Sequence, residues 1–415
     1  MSLAVTSRQG SEEEAEASKR AKGESNAVAD ISSQLNAVIA TYADEFVGRE
    51  KELRMTVLSL TSKEHIFLVS PPGTGKTMMR RVAESFGFSF FYYLMNYDVK
   101  LEDIVAVPKL KRIRRDGEEI LDIDYELRAP GLATSEVVFL DEMFKANTAI
   151  LNALLGIINE RTLTIGNREV KVPLWTVIGA SNEIPDDPSL QAFVDRFLYR
   201  GFMRYLEKDM WYPYLLKYWV MHQPSYTLVR VQVPKEVVVK ASNLLWAVDV
   251  YGVLDEYLKI LDRLKEKGIE VSDRRKGRIL KAIASSALLA GRDYADVTDL
   301  EVLIYTVPKS EQEVEAVTRA VDDVLGGVLR VREELKGLRD QLRDVRGRIR
   351  QMPLDEIAKT IDLLNHAESR VIQLNTPSLS RYAEAVQTEI AELKNLLPDV
   401  LATKILRKAL NEYVR

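Results

Sequence analysis

From Val314 onward the apolar residues of this chain keep one uninterrupted rhythm. Val314, Val317, Val321, Val324, Val328, Val331, Leu335, Leu338, Leu342, Val345 and Ile349 follow one another at spacings of three and four. Such an unbroken run predicts a coiled-coil helix, roughly 55–60 Å long at ~1.5 Å per residue. Pro353 and Pro377 then punctuate two further helical stretches, 354–374 and 378–397. Their stripes are Ile357, Ile361, Leu364, Val371 and Leu374, then Leu379, Tyr382, Val386, Ile390, Leu393 and Leu397. Pro398 is expected to precede a short amphipathic tail helix. Residues 311–415 thus read as a long helical hairpin or three-helix arm, with acidic and basic residues balanced on its solvated face.

Upstream the pattern changes. Between about Ile31 and Thr306 helical and strand signals alternate, as in an α/β core followed by a helical domain. Ile66–Val69, Val137–Leu140 and Leu174–Gly179 are continuous apolar runs that suit buried parallel strands. Two hairpins are predicted between them. In the first, Pro108 to Arg115 leads into the turn pair Asp116-Gly117, and Leu121, Ile123, Tyr125 and Leu127 alternate with charges on the return. The second centres on Gly166-Asn167, with Arg161 to Ile165 and Glu169 to Trp175 as arms. Residues 1–30 are polar and charged and read as a disordered tail.

The chemistry concentrates at the strand ends. Behind Ile66–Val69 comes Ser70-Pro71-Pro72-Gly73-Thr74-Gly75-Lys76-Thr77, and a helix is predicted from Met78 to Glu84. A strand, a glycine-rich loop and a helix in this order form a phosphate-binding loop. Gly73 and Gly75 let backbone N–H groups close on phosphate oxygens, Lys76 reaches the outer phosphates, and Thr77 holds Mg²⁺. Pro72, Thr74 and Met78 complete the expected nucleotide contacts. Ser70 stands where the first glycine usually does. The Val137 strand ends in Asp141-Glu142, where Asp141 suits water-mediated Mg²⁺ binding and Glu142 suits a general base for the attacking water. The Leu174 strand ends near Asn182, a polar amide able to orient that water or touch the γ-phosphate. Arg196, in Phe193-Val194-Asp195-Arg196-Phe197, offers the bidentate charge that a transferring phosphoryl group needs.

Composition narrows the classes. The chain has 415 residues, 46% hydrophobic, a net charge of −4 and no cysteine. The length implies two to four domains. The small net charge supplies no bulk field toward nucleic acid or membrane. Disulfides, zinc-thiolate sites and cysteine nucleophiles are excluded, which fits a reducing cytoplasm. No apolar run approaches the ~18 residues that span a bilayer, and no signal-peptide core is read at the N-terminus. His65, His222 and His366 lack metal-ligand spacing.

These residues resemble the AAA+ ATPases over about 33–306. Asp141-Glu142 matches Walker B, Asn182 sensor 1 and Arg196 the arginine finger. Phe46-Val47-Gly48-Arg49-Glu50 resembles the segment that family places beside adenine, so Val47 and Gly48 are expected at the base. Val271-Ser272-Asp273-Arg274-Arg275 resembles the start of the sensor 2 helix, with Arg274 aligned to the sensor arginine and Arg275 the runner-up. The two hairpins look like the helix-2-insert clade. Leu151-Asn152-Ala153-Leu154-Leu155, Asn159-Glu160-Arg161 and Ser272 to Arg275 most resemble its MoxR family, close to the RavA-like branch.

The resemblance implies an α/β P-loop NTPase core at 31–205, an all-α lid at 206–310 and, outside the shared core, the helical coiled-coil arm and tail helix at 311–415. It further implies ATP and Mg²⁺ as cofactors, and a homo-oligomeric ring, usually a hexamer, in which Arg196 acts in trans. Protein-complex remodelling with a separate von Willebrand A-domain partner is the leading expectation. A nucleic-acid motor using Lys109, Lys111, Arg112, Arg114 and Arg115 is the second reading. Against it, Glu118, Glu119, Asp122 and Asp124 are placed to neutralise those charges across the same hairpin. A nucleotide-gated structural ring is the third reading, and the complete Walker B pair speaks against it.

Overall fold

A computed structural model of the chain describes residues 27–413, apart from residues 77, 116–117, 166–167, 185–186, 188–189, 191–192, 225, 227–229 and 376–378. The chain divides into two compact units. The first holds the described residues up to Asp249, with Glu270–Tyr294 and Val302–Val317. The second holds Val250–Ile269, Ala295–Glu301 and the chain from Thr318 onward.

In the first unit, helix α1 (27–45) buries Val28, Ile31, Leu35, Val38 and Tyr42. It is already helical at 27–30, within the stretch expected to be tail. Helix α2 (Glu50–Ser62) follows, then strand β1 (Ile66–Val69), α3 (Met78–Glu84), β2 (Phe90–Leu94) and the short α4 (Leu101–Ile104). The hairpin β3 (Ala106–Arg115) and β4 (Glu118–Leu127) leads to β5 (Val137–Asp141) and α5 (Thr148–Glu160). A second hairpin, β6 (Thr162–Ile165) and β7 (Arg168–Lys171), leads to β8 (Thr176–Ser181) and β9 (Tyr199–Phe202). Both predicted hairpins are present. Their turn residues, Asp116-Gly117 and Gly166-Asn167, lie outside the described residues. The apolar run predicted as a strand from Leu174 starts two residues later and extends to Ser181, because it pairs only where β5 and β1 flank it.

Strands β1, β2, β5, β8 and β9 form one parallel sheet in the order β2-β5-β8-β1-β9. Parallel strands are covered on both faces, so their sequences are continuously apolar. Every residue of β8 is buried. The order places β8 between β5 and β1, and so brings the C-terminal ends of these three strands side by side. Open parallel sheets bind ligands at such ends. His65 ties this arrangement from below: its Nδ1 accepts the Val177 N–H at 3.0 Å. Burial, with the Arg161 charge beside it, pulls His65 down to about 3.

The rest of the first unit is helical: α6 (Lys208–Met221), α7 (Lys235–Leu244), α9 (Asp273–Leu289) and α10 (Leu303–Thr306). Ser272 caps α9, its Oγ accepting the Arg275 N–H at 3.4 Å.

The second unit contains α8 (Leu254–Glu266) and most of α11 (Glu311–Arg348), with α12 (Leu354–Leu374) and α13 (Ser380–Tyr413). The last three helices join through the predicted stripes. Leu335, Leu342 and Val345 of α11 are buried, as are Leu364 and Val371 of α12 and Val386, Ile390 and Leu393 of α13. Ion pairs connect all three: Arg339–Glu389 at 2.8 Å, Arg346–Glu392 at 2.6 Å, Arg370–Glu334 at 2.5 Å and Lys394–Glu368 at 2.7 Å. The expected break at Pro398 is corrected. Helix α13 runs through it, since an internal proline removes one hydrogen bond and bends a helix without having to end it.

Candidate functional site

Four side chains meet where β1, β5 and β8 end. Lys76 follows the loop behind β1 and is 8% exposed. Its Nζ donates to Asn182 Oδ1 at 3.4 Å. The same atom lies 3.5 Å from Asp141 Oδ1 and 3.7 Å from Glu142 Oε1. Asn182 is held there because Ser181, the residue before it, pairs with Val69. Asp141 ends β5, and Tyr92 Oη donates to its Oδ2 at 3.4 Å. Burial and then the Asp141 charge raise the Tyr92 phenol, so it stays a donor. Glu142 sits in the left-handed backbone region at φ 52°, sparsely populated for a residue with a side chain and often found at functional positions. Lys145 adds a second ammonium 3.6 Å from its carboxylate.

The loop itself is built for backbone donors. Gly73 and Gly75 have φ of 78° and 90°, and among the described residues none beyond the adjoining ones has an atom within 4 Å of where a Cβ would stand. Conformation, not crowding, requires glycine there. Ser70 is absent from the positive-φ positions. It is fully buried, and its N–H donates to Ser181 O at 3.0 Å, extending the β1–β8 ladder. A serine therefore fits without backbone strain. Its Oγ has no hydrogen-bond partner among the described residues. Thr77 lies outside the described residues, and Met78 is buried at the start of α3. The hard carboxylate oxygens of Asp141 and Glu142, each 15% exposed beside a phosphate-type loop, are the donor chemistry that suits Mg²⁺.

A cavity of about 590 Å³ opens beside Gly73, Thr74 and Gly75. That volume lies within the usual ligand-pocket range of ~300–1,000 Å³. Phe46 and Val47 form one wall, and Gly48 is not among the lining residues. Gly48 has φ 73°, and a Cβ there would stand 2.7 Å from Leu206 Cδ2. Tyr205 donates from Oη to Pro72 O at 3.3 Å. Helix α6 supplies the remaining wall with Trp211, Tyr214, Tyr218 and Met221. An apolar, aromatic lining suits stacking on a planar base. The sequence reading missed Tyr205 and the α6 residues. Their signal was the aromatic density of 205–219, but nothing local says which of those rings face a pocket.

The arginines are placed differently. Neither Arg196 nor Arg274 lines this cavity. Arg196 is half-buried in the turn after a helical segment, and its Nε is buried without a partner among the described residues. Arg274 is exposed on the first turn of α9. Arg275 is a structural tie. It is 2% exposed and donates to the carbonyls of Thr306, Phe197 and Leu198 at 2.6, 3.2 and 2.7 Å. Burial, with the Arg200 charge beside it, pulls it down to about 9. Arg200 is likewise buried, paired with Asp195 at 2.8 Å. Arg161 donates to Ile158 O at 2.8 Å.

The basic hairpin carries its own counter-charge. The β3–β4 register sets Lys109 opposite Asp124, Lys111 opposite Asp122, Arg114 opposite Glu119 and Arg115 opposite Glu118. Lys111 lies 3.6 Å from Asp124, and Lys109 pairs with Glu126.

Comparison with known proteins places the chain in a family. Residues 33–245 match the family model described as the MoxR domain in the MoxR-vWA-beta-propeller ternary systems, and residues 250–321 match an AAA lid domain. An uncharacterized Methanocaldococcus jannaschii protein, MJ0812, is 31% identical over 79% of this chain and 87% of its own length. The chaperone MoxR1 of Mycobacterium tuberculosis is 30% identical over 37% of this chain and 40% of its own. A crystal structure of a candidate ATPase from Cytophaga hutchinsonii superposes with a TM-score of 0.58 at 18% identity, covering 74% of this chain and 97% of the other. It shares the fold. No helix among the described residues is long and apolar enough to cross a membrane.

Proposed function

Because this chain belongs to the MoxR family of AAA+ ATPases, we propose that it hydrolyses Mg-ATP and works as a ring-forming chaperone on protein complexes. The observation that carries the reading is the meeting of Lys76 Nζ with Asn182, Asp141 and Glu142 within 3.4–3.7 Å. Lys76 binds the outer phosphates and neutralises charge as it develops on the transferred group. Glu142 takes the proton of the attacking water, and Asn182 orients that water. Phe46, Val47 and the α6 rings hold the base. Mg²⁺, held by Thr77 and through water by Asp141, would neutralise charge on the β- and γ-phosphates.

Arg196 is assigned to the nucleotide of a neighbouring copy, in keeping with its absence from the chain's own pocket and its Nε left without a partner among the described residues. Arg274 is assigned as the sensor arginine, in keeping with its exposure. A ring of six copies, the family's usual pattern, is the assembly this assignment requires. The family model's description supports a von Willebrand A-domain partner.

The test uses purified protein with Mg-ATP. Lys76→Ala is expected to abolish fluorescent-nucleotide binding. Glu142→Gln should bind ATP yet lose about 10²–10⁴-fold in turnover, the usual scale for a general base. Wild-type turnover no faster than that of Glu142→Gln would replace the enzyme with a nucleotide-gated structural ring.

A further inference from the structure

Helix α6 has two apolar faces, and only one of them is used by the pocket. Trp211, Tyr214, Tyr218 and Met221 line the cavity beside the phosphate loop. Tyr212, Leu215, Leu216 and Trp219 lie on the other side of the helix, 78%, 61%, 54% and 70% exposed. No residue of α6 is buried, which is unusual for a helix this rich in aromatic residues. The exposed four stand at i, i+3, i+4 and i+7, a single stripe and the anchor pattern of a helix laid against an apolar surface.

We infer that this stripe docks on a second copy of the chain. Area is the first reason. The four side chains expose on the order of 600 Å², taking ~150–250 Å² for each aromatic. That approaches the roughly 800 Å² per partner of a standard stable interface, and it is as large as the whole apolar patch of a typical monomer. Position is the second reason, and here the inference rests on the ring reading. A neighbour that brings Arg196 to the bound nucleotide must approach the pocket whose wall is α6. The stripe is then the apolar surface next to that approach. Chemistry is the third. No charged residue interrupts the stripe between Tyr212 and Trp219, because Lys217 is turned to Asp44, paired at 2.5 Å. A ring contact is head-to-tail, so the stripe meets a different apolar surface on the neighbour, not its own copy. Since one helix carries both faces, a base stacked on the inner face fixes the outer one. Nucleotide binding and subunit docking are thereby coupled.

The experiment compares wild type with Leu215→Glu/Trp219→Glu by mass photometry, with and without Mg-ATP. Circular dichroism and fluorescent-nucleotide titration check the fold and the pocket. The wild type is expected to assemble with Mg-ATP, and the double variant to stay monomeric while binding nucleotide. A second probe exploits the absence of cysteine from the chain. Leu216→Cys introduces a single thiol. Its maleimide labelling should slow about tenfold when roughly nine-tenths of the chains are assembled, because labelling then proceeds through the dissociated fraction. Assembly of the double variant at wild-type concentrations, or unchanged labelling in the assembled Leu216→Cys protein, overturns the inference and leaves the ring reading standing. A wild type that binds Mg-ATP and remains monomeric overturns both. Protection of the thiol only after a separate protein is added assigns the stripe to that protein and overturns docking on a second copy.

Discussion

Acidification from pH 7.5 to 5.5 is expected to weaken the first unit through one buried imidazole. His65 is 3% exposed and immediately precedes β1, at the end of that strand away from the phosphate loop. Burial, reinforced by the Arg161 charge, lowers it from 6.5 to about 3. The folded protein therefore keeps His65 neutral where the unfolded chain binds a proton. Between these two values the unfolded state holds more protons, so stability rises with pH. The contribution is complete above the unfolded value and is lost as pH falls toward about 3. From pH 7.5 to 5.5 the loss is about 1.4 kcal/mol for an unfolded pKa near 6.5. The neighbouring Glu64 is lowered from 4.5, with burial opposed by Arg278 and Lys281, so it titrates below this window.

Urea unfolding followed by tryptophan fluorescence reads the effect. All four tryptophans, Trp175, Trp211, Trp219 and Trp246, belong to the first unit. His65→Asn is the control, since its amide oxygen can accept the Val177 N–H without titrating. The wild type should lose about 1.4 kcal/mol more than His65→Asn over the window. Equal losses in the two proteins would refute the buried neutral imidazole, and with it the proposed tie between β1 and the strand carrying Asn182.

Further outcomes follow from single sites. Gly48→Ala places an L side chain at φ 73° beside Leu206. A left-handed cost of ~1–2 kcal/mol that is relieved by shifting the pocket wall should weaken nucleotide binding about tenfold, and an unchanged affinity would show that the wall does not depend on this turn. Arg332→Ala strips the 2.9 Å partner from Asp296, which is 2% exposed. Breaking a buried pair in this way costs about 3–5 kcal/mol, read as earlier loss of helical circular dichroism; a loss under ~1 kcal/mol would place the pair among solvated ones. Arg196→Ala should bind ATP but not turn it over, and mixing it with Lys76→Ala should restore turnover if the arginine acts in trans. Normal hydrolysis by Arg196→Ala alone would remove that role. Because the hairpin register sets basic residues opposite acidic ones, DNA binding should be negligible at physiological salt. Steeply salt-dependent binding, lost on Arg112→Glu/Arg114→Glu, would revive the nucleic-acid motor.

The sequence by itself determined what is contiguous. Ile66–Val69 and Met78–Glu84, the strand and helix either side of the loop, occupy the residues predicted for them. So does the helix at 354–374, and both hairpins follow from alternation around a turn pair. These features are set by local backbone preference and by side-chain periodicity, which a linear chain displays directly. Tertiary structure decided whatever depends on strand order. Ser181 pairs with Val69, and β8 enters between β5 and β1. Only that order brings Lys76, Asp141, Glu142 and Asn182 together, although 106 positions separate the first from the last. The same applies to orientation. Helix α6 shows weak amphipathic patterning in sequence, because aromatic and aliphatic residues surround it on nearly all sides. Which rings face the phosphate loop and which face solvent is fixed by where the helix packs. Of the neighbours Arg274 and Arg275, one is exposed and the other is locked to four backbone carbonyls. Adjacent residues of one kind look alike in a sequence, and the 100° turn between them on a helix gives them opposite environments.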